Sequence, residues 1–222
     1  MQTVPLIFKD GHLFAEIEGH LWLYDTGAPI SFGDVENLTI DNERFDIEDN
    51  FLGHTATQIS QFVGTPCIGL LGTDILRRFD HILDCVNGTL TISTDELERG
   101  NSAIHLEGFM NIPVIEVKIA DQEYHMFFDT GAQISYFQDD SLSGFPEVGS
   151  MTDFLPSFGQ FETPTHQLIA SLGDDSFSVR CGRLPGLLGL SLILAETQGI
   201  IGNEILANRT TRYFPRRRLL CL

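Results

Sequence analysis

Positive charge is scarce in this chain. Its 222 residues hold 13 Lys and Arg against 31 Asp and Glu, a formal net charge of −18, and the pI is near 4.5. A surface of that sign repels phosphate backbones, so nonspecific nucleic-acid binding is excluded as a default function. Five of the basic residues, Arg209, Arg212, Arg216, Arg217 and Arg218, crowd the last 14 positions. They are expected on the solvated face of a final strand, turned toward the acidic first half.

Cysteine is also rare. Cys67, Cys85, Cys181 and Cys221 have no metal-ligand spacing and no symmetric arrangement, so they read as reduced, buried thiols rather than disulfides. The 7 histidines are scattered, without the spacing of a metal triad, and are expected at the surface or at strand edges. No metal and no cofactor is called for. No apolar run approaches a membrane span, and no N-terminal stretch combines basic residues, an apolar core and a cleavage site. The expectation is a cytoplasmic protein with neither membrane nor nucleic acid as partner. The sequons at Asn37, Asn87 and Asn208 would matter only in a secreted protein, and Asn87-Gly88 reads more simply as a hairpin turn.

What the chain does have is one short phrase written twice. Tyr24-Asp25-Thr26-Gly27-Ala28-Pro29-Ile30-Ser31 is answered by Phe128-Asp129-Thr130-Gly131-Ala132-Gln133-Ile134-Ser135. A lone Asp-Thr-Gly is an ordinary turn. Two copies, each after an apolar strand and before an Ile-Ser pair, are far more specific. A second motif follows in each half: Gly69-Leu70-Leu71-Gly72-Thr73-Asp74-Ile75-Leu76 and Gly199-Ile200-Ile201-Gly202-Asn203-Glu204-Ile205-Leu206. Two carboxylates from equivalent loops can hold one water between them. Like charges about 3 Å apart cannot both ionise, so such a pair shares one proton.

On these motifs the chain resembles the retropepsin and pepsin group of aspartic peptidases, over nearly its whole length. Ala after the Gly of each tetrad is similar to the retroviral-type enzymes; pepsins more usually carry Ser or Thr. The resemblance implies a catalytic dyad of Asp25 and Asp129, supported by loops Thr26, Gly27, Ala28 and Thr130, Gly131, Ala132. It also implies that Thr26 and Thr130 turn inward and hydrogen-bond across the lobe interface. Retroviral enzymes usually have Asp after the tetrad's Ala and Arg after the later Gly, an ion pair that braces their dimer. Here those positions hold Pro29 and Gln133, and Thr73 and Asn203, so neither half keeps either charge. That departure fits two covalently joined lobes in a monomer.

The fold implied is all-β: two pseudo-symmetric retropepsin- or pepsin-like β-barrel lobes with a cleft between them. Short apolar runs at Val4–Phe8, Leu13–Ile17, His20–Tyr24, Ile112–Ile119 and Tyr124–Phe128, separated by Gly, Asn and Asp turns, argue for strands. Brief helices are expected at 57–63 and 187–196, with helical turns at 74–76 and 204–206. A polar stretch at 98–102 reads as the linker, giving lobes at 1–99 and 100–222. Trp22 and Tyr24 lead into Asp25; one is expected in the core and the other at the cleft.

The two halves are unequal. Gly72 and Gly202 lie 130 residues apart but the aspartates only 104, so about 26 residues are added in the second half. The added segment is either a surface insertion or a single flap spanning about Met151 to Ala170, with its tip at Ser157, Phe158, Gly159 and Gln160. Arms of about 8 residues reach some 26 Å, enough to cross a cleft. Pepsins carry their one flap on the N-terminal lobe, the reverse of this. The functional expectation is an aspartic endopeptidase acting on a peptide or protein substrate. Two alternatives stand beside it: an inactive peptide-binding module, and a processing protease of narrow specificity for one partner.

Overall fold

The computed structural model describes residues 1–100, 102–155, 159–185, 192 and 195–222. The fold is all-β, built on two main sheets. In the first half Gln2–Lys9, His12–Ile17 and His20–Tyr24 form an antiparallel meander. Asp10-Gly11 turns the first pair, both residues with positive φ. In the second half Ile112–Ile119 and Gln122–Phe128 repeat this pairing. Each meander ends on an apolar strand that takes a parallel neighbour: Gly69–Leu71 beside His20–Tyr24, and Gly199–Ile201 beside Gln122–Phe128. The registers match, Tyr24 opposite Leu71 and Phe128 opposite Ile201. The duplicated sequence is thus a duplicated structure.

The helix Ala56–Val63 starts on a Thr55–Gln58 capping box and stops at Gly64 in the left-handed region, as its sequence directs. It buries Ala56, Ile59 and Val63 against the first lobe. The expected turns after the second motif are the short helix Thr73–Leu76 and the 3₁₀ turn Asn203–Leu206. Of the helix expected at 187–196, all but Leu192, Ala195 and Glu196 lies outside the described residues.

The last strands do not stay with the second sheet. Thr210–Phe214 pairs with Asp80–Asp84 of the first half, and Leu219–Cys221 and Ala103–His105 follow it at the edge of the ten-stranded sheet. One hydrophobic core accordingly runs through both halves, from Leu13 and Tyr24 to Val179, Tyr213 and Leu220.

Three expectations are corrected. Trp22 and Tyr24 are both in the core, at 1% and 0% exposure, because residues two apart on a strand share a face; Leu23, between them, lines the cleft. His12, His81 and His166 are buried rather than superficial. Arg216 and Arg217 lie on the 3₁₀ turn Pro215–Arg217 rather than on a strand face. Both pair with Asp80, a fully buried carboxylate of the first half. All four cysteines are free thiols; Cys181 and Cys221 are buried and the other two half-buried.

The added residues of the second half form a long antiparallel hairpin, Glu147–Leu155 with Gly159–Leu172, in register from Leu155 opposite Gly159. The first half passes from Phe32–Gly33 to Asn37–Ile40 in three residues and makes two short hairpins, Asn37–Ile40 with Glu43–Asp46 and Asn50–Phe51 with His54–Thr55. Gly159 and Gln160 lie at the start of the returning strand. Ser157 and Phe158, also expected at a flap tip, lie outside the described residues.

Candidate active site

Each Asp-Thr-Gly loop hangs from the end of a buried strand. The Asp25 amide donates to Leu71 O at 3.0 Å and the Asp129 amide to Ile201 O at 3.1 Å. The loops then close on themselves. Asp25 Oδ1 accepts from the Gly27 and Ala28 amides at 2.8 and 3.0 Å, and Asp129 Oδ1 from those of Gly131 and Ala132 at 2.8 and 3.2 Å. Ser31 and Ser135 explain the Ile-Ser pair: their hydroxyls accept from the Gly72 and Gly202 amides at 2.8 and 3.2 Å. The Thr73 and Asn203 amides donate back to Ala28 O and Ala132 O. Motif one is therefore stitched to motif two in both halves.

Thr26 and Thr130 lock the two loops together. Each backbone amide donates to the other's Oγ1, both at 3.0 Å. Thr26 Oγ1 donates to Phe128 O at 2.6 Å and Thr130 Oγ1 to Tyr24 O at 2.7 Å. Both threonines are completely buried, so these groups have no water to fall back on.

The lock brings each carboxyl group over the glycine of the opposite loop. A Cβ on Gly27 would lie 2.2 Å from Asp129 Cγ, and one on Gly131 would lie 2.5 Å from Asp25 Cγ. Only glycine leaves room for the approach. Asp25 and Asp129 hydrogen-bond each other, and both are held above the usual carboxylate range. For each the largest cause is burial, which penalises the charged form. At Asp25 the negative charge of Asp129 adds to it. Such a pair retains one proton over a broad pH range.

Two cavities meet at the carboxyls. One, about 130 Å³, is walled by Leu23, Ile59 and Phe62 and bounded by Asp153, Phe154 and Phe161 of the long hairpin. The other, about 320 Å³, is lined by apolar side chains including Phe32, Phe109, Ile112 and Phe127. The hairpin reaches the opposite lobe: Phe154 stacks on Phe62 with ring centroids 3.4 Å apart and 14° between planes, and His54 meets it edge-on at 5.9 Å.

Taken with the lock, the parallel-strand pairing and the hairpin, this geometry invites comparison with known structures. The fold is pepsin-like. It is similar to the crystal structure of aspartic proteinase from Irpex lacteus, with a TM-score of 0.54 and 13% sequence identity, covering 99% of this chain and 96% of that one. No family model and no curated protein matches the sequence.

The residues that replace the retroviral-type ion pair form a neutral brace. His12 Nδ1 donates to Gly131 O at 3.2 Å, and its Nε2 accepts from Gln133 Nε2 at 2.6 Å. Burial holds the His12 pKa below its usual value, in keeping with a neutral ring. Asn203 Nδ2 donates to Gly11 O at 2.8 Å and to Thr130 O at 3.1 Å. The turn Asp10–His12 of the first half is thus fastened to the second half's loop. Sequence reading marked Gln133 and Asn203 as departures but could not supply His12, which sits in an unremarkable turn 117 residues from Asp129. It also missed Tyr136 and Asp153, whose side chains hydrogen-bond beside the dyad.

Proposed function

We propose that this protein is an aspartic endopeptidase that hydrolyses peptide bonds with Asp25 and Asp129. The observation that carries the proposal is the pair of carboxyl groups from two equivalent loops, hydrogen-bonded to each other at the meeting of two cavities. A pepsin-like fold supports it. The cleft admits an extended peptide with its scissile carbonyl at the pair and a water between the carboxyls. Asp129, ionised, takes a proton from the water as its oxygen attacks the carbonyl carbon. Asp25, holding the proton the pair shares, gives it to the carbonyl oxygen, and a tetrahedral diol forms. Asp129 then passes its proton to the amide nitrogen and Asp25 removes one from the diol. The C–N bond breaks, an acid and an amine leave, and the starting protonation is restored.

The rest of the site serves that exchange. The threonine lock fixes the distance between the carboxyls, worth most where a displacement of about 1 Å costs on the order of 10²-fold in rate. The hairpin, as a single flap borne by the second lobe, excludes water and orients the peptide. No hydroxyl follows either glycine, since Ala28 and Ala132 stand there, so no side chain at these positions lowers the dyad's pKa. Activity is expected to peak in mildly acidic to neutral solution rather than at pH 2 to 3.

The test is incubation with an unfolded protein and a mixed peptide library across pH 4 to 8, with and without a statine-type transition-state analogue. Cleavage blocked by the analogue, and absent in Asp25→Asn, supports the proposal. Capture of peptides with no cleavage at any pH would assign the cleft to peptide binding alone.

A further inference from the structure

Asp153 is placed oddly for a carboxylate. It lies on the inner side of the long hairpin, on the boundary of the cavity that reaches Asp25 and Asp129. Its Oδ2 accepts from Tyr136 Oη and its Oδ1 from the Phe154 amide at 2.7 Å. Both donors are neutral. Among the described residues no cation pairs with it; Arg183, Arg180 and Lys118 of the same lobe are engaged by Asp140, Glu204 and Asp121. The ring nearest in role, His12, has both nitrogens in the neutral brace to Gly131 and Gln133. The carboxylate is only partly exposed, and the surrounding walls are apolar: Ile59, Phe62, Val63 and Leu184.

An uncompensated negative charge beside an apolar slot is complementary to one kind of side chain, a long apolar stem with a cationic head. Lys and Arg extend their methylenes along such walls and deliver the charge at the end. We infer that Asp153 makes the cleft selective for peptides carrying Lys or Arg in the subsite it borders. The inference rests on the peptidase reading of the same cleft, and names its substrate class. The molecule's net charge of −18 acts in the same direction at long range, drawing basic peptides toward a cleft that already holds the dyad.

The experiment uses peptide pairs identical but for Lys or norleucine, scanned through the positions around the scissile bond. Norleucine keeps the stem and omits the charge. At one position the wild-type protein is expected to favour Lys by at least about tenfold in kcat/KM, the size of a hydrogen bond to a charged group. The ratio should shrink as NaCl is raised. In Asp153→Asn it should fall to within about twofold of unity. In Tyr136→Phe, which leaves the carboxylate charged and frees one oxygen, it should persist or grow. A ratio near unity in the wild type at every position, or one that survives Asp153→Asn, overturns the inference.

Binding separates this from failure of the peptidase reading. Asp25→Asn, unable to turn over, should still bind the Lys peptide about tenfold more tightly than its norleucine partner. That preference without cleavage by the wild type would sink the peptidase reading and uphold the role of Asp153. Equal binding would sink the role of Asp153 whatever the protein cleaves.

Discussion

Asp25 and Asp129, the proposed catalytic pair, are held together at the expense of stability. Burial raises both pKa values, so each contributes folding stability that is complete below the unfolded carboxyl value of about 3.9 and is lost as pH rises through the folded value. At pH 7 the folded protein therefore holds a charge it would do better without. Asp25→Asn should lower peptide hydrolysis by at least about 10²–10⁴-fold, more if the pair acts as a unit, while raising the melting temperature at pH 7. The stability gain should fade on acidification. A variant that keeps more than a tenth of the activity contradicts the dyad, and one less stable than wild type at pH 7 contradicts the electrostatic account. Gly27→Ala makes a complementary prediction. A methyl group cannot occupy a point 2.2 Å from Asp129 Cγ, so the carboxyls must part, and activity should drop by at least about 10²-fold with the circular dichroism spectrum unchanged. At this scale the sequence was informative where chemistry recurs twice. Asp153 and His12 each occur in one half only, and no repeat marks them.

Between residues and the whole, the element that decides the site is the crossed pair of loops. Thr26→Val keeps the shape of the side chain and removes its hydroxyl. The Thr130 amide then loses its acceptor and Phe128 O its donor, both in the dry interior. An orphaned buried group costs about 1–3 kcal/mol, so urea denaturation should show a loss in that range or above. Thr26→Ser, which restores both bonds, should recover most of it. The long hairpin is the other element. Phe154 on Phe62 joins it to the helix Ala56–Val63 across the cleft, and Phe62→Ala is expected to raise KM and lower kcat together, as loosening a lid does. If Phe62→Ala leaves both constants as they were, the hairpin does not act as a lid through that contact. The hairpin's existence was legible from the unequal spacing of two repeated motifs. Its landing place was not, because a stacking contact between Phe154 and Phe62 leaves no period or motif in the chain.

For the molecule as a whole, the joint between the lobes is a sheet, and its weak point is a histidine. Asp80–Asp84 of the first half pairs with Thr210–Phe214 of the second, with His81 directly opposite Tyr213. The two strands occupy equivalent places in the two halves, 130 residues apart like Gly72 and Gly202, and that equivalence was legible in the repeat. That they would pair with each other was not, because pairing between halves depends on edges that a one-dimensional repeat does not describe. His81 is fully buried among Tyr24, Phe79 and Tyr213, with Nε2 bonded to Leu76 O at 2.7 Å. Nδ1 has no partner among the described residues. Burial lowers its pKa from 6.5 to about 4. A depressed histidine is neutral in the fold while the unfolded chain protonates first, so its contribution is complete above pH 6.5 and is lost as pH falls through the folded value. Over that window the loss amounts to about 3 kcal/mol at most. His12, also lowered, adds to the slope, and the dyad opposes it. His81→Phe isolates the term: it sacrifices the bond to Leu76 but has nothing to protonate. Measured by urea denaturation at intervals from pH 7 to pH 4, wild type should lose stability relative to its own pH 7 value more steeply than His81→Phe. Both lobes should unfold in one transition, because the sheet that contains His81 belongs to both. Parallel slopes for the two proteins would remove His81 as the acid-sensitive joint, and two separate transitions would show that the shared sheet does not couple the lobes. With the slopes as expected, the acid that would suit a low-pH peptidase is also the acid that loosens this fold, which favours the mildly acidic to neutral optimum of the proposed activity for a reason independent of Ala28 and Ala132.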